Sequence, residues 1–392
     1  MDEKTEIVKK MKKINYLPKQ YSNDNKLKIN HNYLKEQFSD YPKILNEMTK
    51  IFKDCQFTLG NYVDECEKIF AKRVGAKFAI GVGSGTDAIF LSLKALGIKN
   101  GDEVITTPFT YIATVGAIVA TGAKPVFVDI KDDCNIDENK IQKKINKKTK
   151  AIVPVHWTGK ICEMKKIQNI AKKNKIKIVQ DACHAIDANY SNKTPVKFGD
   201  FACYSMHPLK NLNVWGDAGF VTTQNRQLAK KIFLIRNHGL VNRDFCKVFG
   251  YNSRLDSIQA LVATYLMKKK LSNITKRRIS NAKMYDNLLK NNPNIILNKR
   301  DKKIKEVFHL YQIKVKNRNE LKNFLIKNNV DAKVHYPIPI HLQKSSKYLG
   351  YKKGDFPMAE DISRNILSLP VHEFITKKQI KYVTNLINKF YN

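Results

Sequence analysis

From residue 77 onward, short apolar runs alternate with amphipathic stretches. Residues 77–82 (Lys-Phe-Ala-Ile-Gly-Val) predict a strand and residues 83–86 a turn. Residues 87–96 predict a helix, apolar at Ala88, Phe90, Leu91, Leu93 and Leu96, and Gly97 stops it. Residues 102–106 form the next expected strand, ended by Pro108, and residues 111–120 a helix of small and apolar side chains. Strands are expected at 124–129 and 150–156, a helix at 162–174 and a further strand at 176–181. This alternation means βαβ units around a mostly parallel sheet. Upstream, a helix over 42–53 carries Pro42 in its first turn, where the missing N–H costs nothing. Residues 57–64 lead into another helix that ends at Val74. Downstream come a long helical connector over 258–287, a strand at 310–315 and helices at 320–328 and 377–391. The pattern divides the chain into an N-terminal arm (1–30), a large domain (31–265) and a smaller C-terminal α/β domain (266–392). Two domains also suit 392 residues, more than one core usually organises.

The formal charge of +36 invites a nucleic-acid or membrane reading. Against it, the excess is mostly lysine and runs along the whole chain. No block pairs aromatics with arginines as a nucleic-acid platform would. Compositional drift explains it, together with steering of an anionic small substrate. The seven cysteines are odd in number and form no CxxC pair, which argues against a disulfide framework and a zinc site. A reducing, cytoplasmic setting fits. Residues 1–6 lack the apolar core of a signal peptide, and the longest apolar run, 111–123, is too short to span a bilayer.

Parallel sheets of this kind place ligands outside the carboxyl ends of their strands. Ser84, Tyr111, Asp129, His156 and Asp181 fall at or just past those ends. The turn Gly83-Ser-Gly-Thr86 precedes a helix, so its unpaired amides make a phosphate cradle; otherwise it is a plain turn capped by Thr86 or Asp87. Asp181 closes an apolar strand, either as counter-ion to a cationic ring nitrogen or as a cap for the next helix. Tyr111 could stack on a flat ring or be an ordinary amphipathic aromatic. His184 could donate to a ring hydroxyl or be a satisfied core histidine. Lys210 sits on a tight loop between two strands, five residues after Ser205 and shortly before the turn Gly216-Asp-Ala-Gly219. A cradle, a stacking aromatic, an aspartate and a loop lysine together are what pyridoxal phosphate requires. The lysine carries the cofactor and then moves a proton between carbon centres.

The order Ser84-Gly-Thr-Asp87, Pro108-Phe-Thr-Tyr-Ile-Ala-Thr114, Pro154-Val-His156, Asp181-Ala-Cys-His184, Tyr204-Ser-Met-His-Pro-Leu-Lys-Asn211 and Gly250-Tyr-Asn-Ser-Arg-Leu-Asp256 resembles the DegT/StrS family of nucleotide-sugar aminotransferases. His335-Tyr-Pro-Ile-Pro-Ile-His-Leu-Gln343 and Ser368-Leu-Pro370 resemble it too. The resemblance implies the aspartate-aminotransferase fold (fold type I) with pyridoxal 5'-phosphate. It makes Lys210 the lysine that bonds the cofactor and Asp181 the partner of its pyridine nitrogen. His184 lies near the ring hydroxyl, Tyr111 on one ring face and Cys183 under the other. Gly85, Thr86 and Ser205 hold the phosphate. Asn252 reaches the phosphate of the neighbouring subunit's cofactor, which implies a homodimer with shared active sites. Arg254 helps hold anionic substrates, and His335, Tyr336 and His341 line the sugar side.

The implied reaction moves an amino group from L-glutamate to a keto-sugar nucleotide for surface polysaccharide or glycan. The motifs at 84–87 and 335–343 favour C-3 over C-4. Ala218, Trp215, Asn213 and Asp187 depart from the family's usual residues, with glycine common at 187. Two alternatives stand beside this. Relatives that dehydrate the sugar carry histidine in place of the lysine. A cofactor-binding regulator of DNA would need a helix-turn-helix, for which the arm is too short and irregular.

Overall fold

A computed structural model describes residues 27–31 and 33–392. Its main sheet has seven strands: β1 (Phe78–Val82), β2 (Glu103–Thr106), β3 (Lys124–Phe127), β4 (Thr149–Ile152), β5 (Lys177–Asp181), and then, beyond the two-residue β6 (Asn189–Tyr190), β7 (Phe201–Ser205) and β8 (Gly219–Thr223). The order is β1-β8-β7-β5-β4-β2-β3. Only β8 runs antiparallel to its neighbours, paired with β1 and β7. The expected mostly parallel α/β sheet is therefore present.

Period-two alternation explains how the sheet is covered. In β8, Phe220 faces the core that contains Phe70 and Tyr204, while Val221 faces the one that contains Leu91 and Ile232. In β5, Ile178 and Val179 divide in the same way. Helices Asn61–Val74 and Ser257–Lys269 supply the first face; Gly85–Ala95, Ile112–Ala120 and Arg226–Ile235 supply the second. Phe70 stacks on Phe220 with ring centroids 4.0 Å apart. Burying each such ring contributes roughly 1.5–3 kcal/mol.

The C-terminal part has its own core. Strands β9 (Ile295–Leu297), β11 (Tyr311–Val315) and β12 (Ile366–Leu369) form an antiparallel sheet in the order β12-β11-β9. Helix Lys377–Tyr391 packs on it, held at its start by a capping box between Thr376 and Gln379. The short β10 (Ile304–Lys305) pairs with β6 and ties this part back to the large one. The end of the arm joins the C-terminal core: Ile29 bridges Val330, and its amide donates to Asn329 O at 3.0 Å. Residues 1–26 of the arm lie outside the described residues.

Three expectations change. The connector over 258–287 is two helices, Ser257–Lys269 and Leu271–Leu289, broken at Lys270. No glycine or proline marks the break; the Lys270 amine is instead drawn to Gln37 O at 2.6 Å and to the Asp40 carboxylate. The helix after β1 begins at Gly85, and its cap is Ser84, whose hydroxyl accepts from the Asp87 amide at 3.0 Å. Neither Thr86 nor Asp87 caps it. The strand expected over 150–156 leaves regular pairing after Ile152, before Pro154. Among the described residues no helix is long and apolar enough to cross a membrane.

Candidate active site

The carboxyl ends of β1, β5 and β7 converge on one place. Gly85 opens a helix there and has no room for a side chain. A Cβ on it would lie 2.6 Å from Ser205 Cβ and 3.0 Å from Cys183 Sγ. Gly219, the first residue of β8, is equally constrained, since a Cβ would stand 2.3 Å from Ser84 O. The two glycines let backbone approach backbone and leave a helix N-terminus facing Ser205, a natural seat for a phosphate. Segment 250–256 reaches the same helix. The Ser253 hydroxyl accepts from Gly83 N at 3.1 Å and donates to Asp87 Oδ2 at 3.0 Å.

Asp181 ends β5 and is buried. Its Oδ2 accepts from the Thr114 hydroxyl at 2.7 Å and its Oδ1 from the Cys183 amide at 3.1 Å. Thr110 stands 2.9 Å from Thr114, hydroxyl to hydroxyl. The carboxylate is thus oriented by two hydrogen bonds and caps no helix. Lys210 is half-buried on the loop from β7 to β8, with its amide donating to His207 O at 2.8 Å. Burial pushes its amine below the usual lysine value, against the opposing pull of Cys183 and Asp181. Burial drives the Cys183 thiol well up, so it remains protonated and serves as packing under the site.

The imidazole of His184 is buried, 4.0 Å from the ring of His309 and 5.2 Å from that of Trp157. Burial, then Lys210, then His335 hold His184 well below the ordinary histidine value, so it is neutral at pH 7. Its Nδ1 has no hydrogen-bond partner among the described residues, nor has that of His309. Tyr111 precedes helix Ile112–Ala120 and is 54% exposed, with its ring 5.9 Å from that of Tyr336. Tyr336 in turn meets Trp157 at 5.7 Å, so Tyr111, Tyr336, Trp157 and His184 form one aromatic wall.

The other expected residues are less uniform. His335 shares a hydrogen bond of 2.9 Å with Ser368, and burial lowers its pKa to about 4. His341 is buried, with its ring 4.7 Å from that of Phe356 and its Nε2 3.1 Å from Glu360. Asn252 is exposed, bridged to Asn237; Arg254 donates to Asn237 Oδ1 at 3.4 Å. Two strand-end candidates have structural duties. Asp129 accepts from the amides of Met358 (3.1 Å) and Ala359 (3.0 Å), capping a C-terminal helix. His156 is locked against Gln180 at 3.0 Å, with burial lowering its pKa to about 4.

Thr114, Trp157, Gly219, Ser253 and His309 were not singled out as site residues from sequence. For Thr114 no local signal existed: Thr110 lies before the helix that begins at Ile112, and the two hydroxyls meet through the turn between them. His309 had none either, since it comes from a distant segment.

The residues present suit pyridoxal phosphate: the glycine cradle leaves space for a phosphate, Asp181 is an oriented buried anion, and His184 keeps a polar nitrogen unspent. With the fold, this defines a pyridoxal-phosphate-dependent aminotransferase of fold type I. The chain belongs to the DegT/DnrJ/EryC1/StrS aminotransferase family, whose sequence model matches residues 39–388. It is 39% identical to a protein of Geobacillus stearothermophilus named "Pleiotropic regulatory protein", over 91% of this chain and 97% of that one. It is 36% identical to the "dTDP-3-amino-3,6-dideoxy-alpha-D-galactopyranose transaminase" of Aneurinibacillus thermoaerophilus, over 92% and 97%. Among solved structures, S. venezuelae DesV in complex with a ketimine intermediate superposes with a TM-score of 0.88 at 32% identity, covering 91% of this chain and 96% of that one.

Proposed function

We propose that the protein transfers an amino group from L-glutamate to the keto sugar of a nucleotide sugar, at C-3, in the cytoplasm, as a step toward a surface polysaccharide or glycan. The observation that carries the reading is the buried Asp181 carboxylate, oriented by two hydrogen bonds beside the Gly85 cradle, at the strand ends next to the loop that bears Lys210. Bound pyridoxal phosphate supplies an electron sink for the pair left behind when a proton departs. Lys210 holds the cofactor and, once freed, carries that proton between carbon centres. Burial makes its amine hold a proton less tightly than an ordinary lysine, which is the direction a general base needs. Asp181 keeps the pyridine nitrogen protonated, with Thr114 and the Cys183 amide fixing its angle. His184 would meet the ring hydroxyl of the bound cofactor, with Tyr111 on one ring face and Cys183 on the other. Gly85, Thr86 and Ser205 take the phosphate.

Substrate would enter past the aromatic wall. Tyr336 and His335 meet the sugar, and Arg254 takes a carboxylate or the nucleotide's phosphates. Asn252 would complete the partner subunit's phosphate site in a homodimer. Support comes from the apolar side chains beside it: Phe249 is 99% exposed, and Val241 and Phe245 are exposed as well. The C-3 assignment rests on the motifs at 84–87 and 335–343 and on the name of the Aneurinibacillus relative. The test offers matched 3-keto and 4-keto nucleotide sugars with glutamate and locates the new C–N bond by NMR. Turnover of only the 4-keto substrate would refute the C-3 assignment.

A second reading, a regulator that binds DNA, draws on the Geobacillus relative's name and on the charge of +36. Under the catalytic reading, DNA binding is weak and vanishes with salt. Sequence-specific binding that survives physiological salt would favour the regulator.

A further inference from the structure

A cavity of about 450 Å³ opens between helix Asn61–Val74, the loop at Asp187 and helix Leu271–Leu289. No residue assigned to the cofactor or the sugar lines it. Its floor is an ordered polar cluster. Arg73 Nε donates to Asp187 Oδ1 at 2.7 Å, and Arg73 Nη1 to Ser272 Oγ at 3.0 Å. The Thr275 hydroxyl donates to Asp187 Oδ2 at 2.8 Å. Asp187 holds these partners from a left-handed backbone, φ 65°, where glycine would be the relaxed choice. Its carboxylate is what a glycine there would lack, and that carboxylate orients Arg73.

Arg73 and Asp187 cancel in charge. Lys276, Lys283 and Lys305 also line the cavity, and among the described residues none of the three side chains has a carboxylate or hydrogen-bond partner. Lys276 and Lys283 stand two turns apart on one helix, with Ile279 between them. Elsewhere the basic excess is spread along the chain. Here three exposed lysines line one open, hydroxyl-bearing depression. We infer that this cavity is a second anion site, separate from the active site, that binds a small molecule bearing a diphosphate. Lysines spaced along two turns suit an extended anion with more than one charged centre better than a single carboxylate. An occupant would touch Arg73 of the large part and Lys276 and Lys283 of the connecting helix together. The inference does not depend on the substrate proposed above.

The test uses the full-length protein with its cofactor fixed by borohydride, so that the cofactor site cannot exchange. Inorganic pyrophosphate is titrated by calorimetry against the wild type and a Lys276→Ala/Lys283→Ala double variant, with sulfate as the reference anion. The double variant is expected to weaken pyrophosphate binding about tenfold or more, the loss of charge-assisted contacts. Arg254→Ala should leave this binding event in place. In the wild type, pyrophosphate should slow amide hydrogen exchange in peptides spanning 272–283, a readout that needs no variant. Equal affinity in the double variant, or protection confined to active-site peptides, would overturn the site. Equal protection by sulfate at the same concentration would overturn its assignment to diphosphates.

Discussion

The cofactor half of the candidate site and the half proposed to meet the sugar are built differently. On the cofactor side, position is set by backbone. Gly85 and Gly219 admit no side chain, and Asp181 is held by a helix hydroxyl and a main-chain amide. On the sugar side, position is set by rings leaning on rings. Tyr336 rests between Tyr111 and Trp157, His335 on Ser368, and the segment arrives from the C-terminal part of the chain. A backbone constraint tolerates almost no substitution, whereas an aromatic contact tolerates many. The first half can serve one cofactor while the second varies with the sugar.

That contrast predicts a descending series. Lys210→Ala should abolish transamination, a loss of about 10³-fold or more in kcat, with unfolding by urea unchanged, because the residue is not core. Loss of folding with loss of activity would make it structural instead. Gly85→Ala should destabilise by about 1–3 kcal/mol and weaken cofactor retention, since Ser205 stands 2.6 Å from the added carbon. Wild-type stability and affinity in that variant would break the contrast. Thr114→Val should cost roughly tenfold in kcat, the worth of one charge-assisted hydrogen bond to Asp181, while cofactor stays bound.

Acid should act through the buried histidines. His156 has its folded pKa lowered to about 4, so the unfolded chain binds the proton first as pH falls. Its contribution is complete above about pH 6.5 and is lost downward to about pH 4, at up to about 1.4 kcal/mol per pH unit. His156→Gln should flatten the urea-measured slope in that window; an unchanged slope would remove His156 from the acid response. Smallest of all, Tyr336→Phe should change KM for the nucleotide sugar by less than about threefold, because it keeps the ring. A large fall in kcat there would mean that the hydroxyl acts on the reaction.

Legibility in the sequence followed the same divide. Strand positions showed as short apolar runs because the sheet is buried on both faces, and helix positions showed by their period. Lys210 and Asp181 stood out because few chemistries place a lysine and a strand-end carboxylate in that order. The Ser84 cap was missed because a serine, a threonine and an aspartate lie within four residues, and only backbone angles choose among them. The break at Lys270 was invisible because its cause, Gln37 and Asp40, lies far away along the chain. His309 and Trp157 entered the wall through tertiary contacts that no local spacing encodes. His341 looked like its neighbours in the motif, yet it turns inward to Glu360.

The reversed strand β8 also tethers the loop that bears Lys210. Ser205 and Gly219 are opposite rungs of the β7–β8 ladder, so the whole excursion that carries Lys210 closes on one paired step. The next residue along β8, Phe220, is stacked on Phe70 in the core. The loop therefore cannot widen at its base unless a central strand lets go. A lysine on an ordinary surface loop would sit on ends free to drift, but this one hangs from ends that are pinned to the sheet.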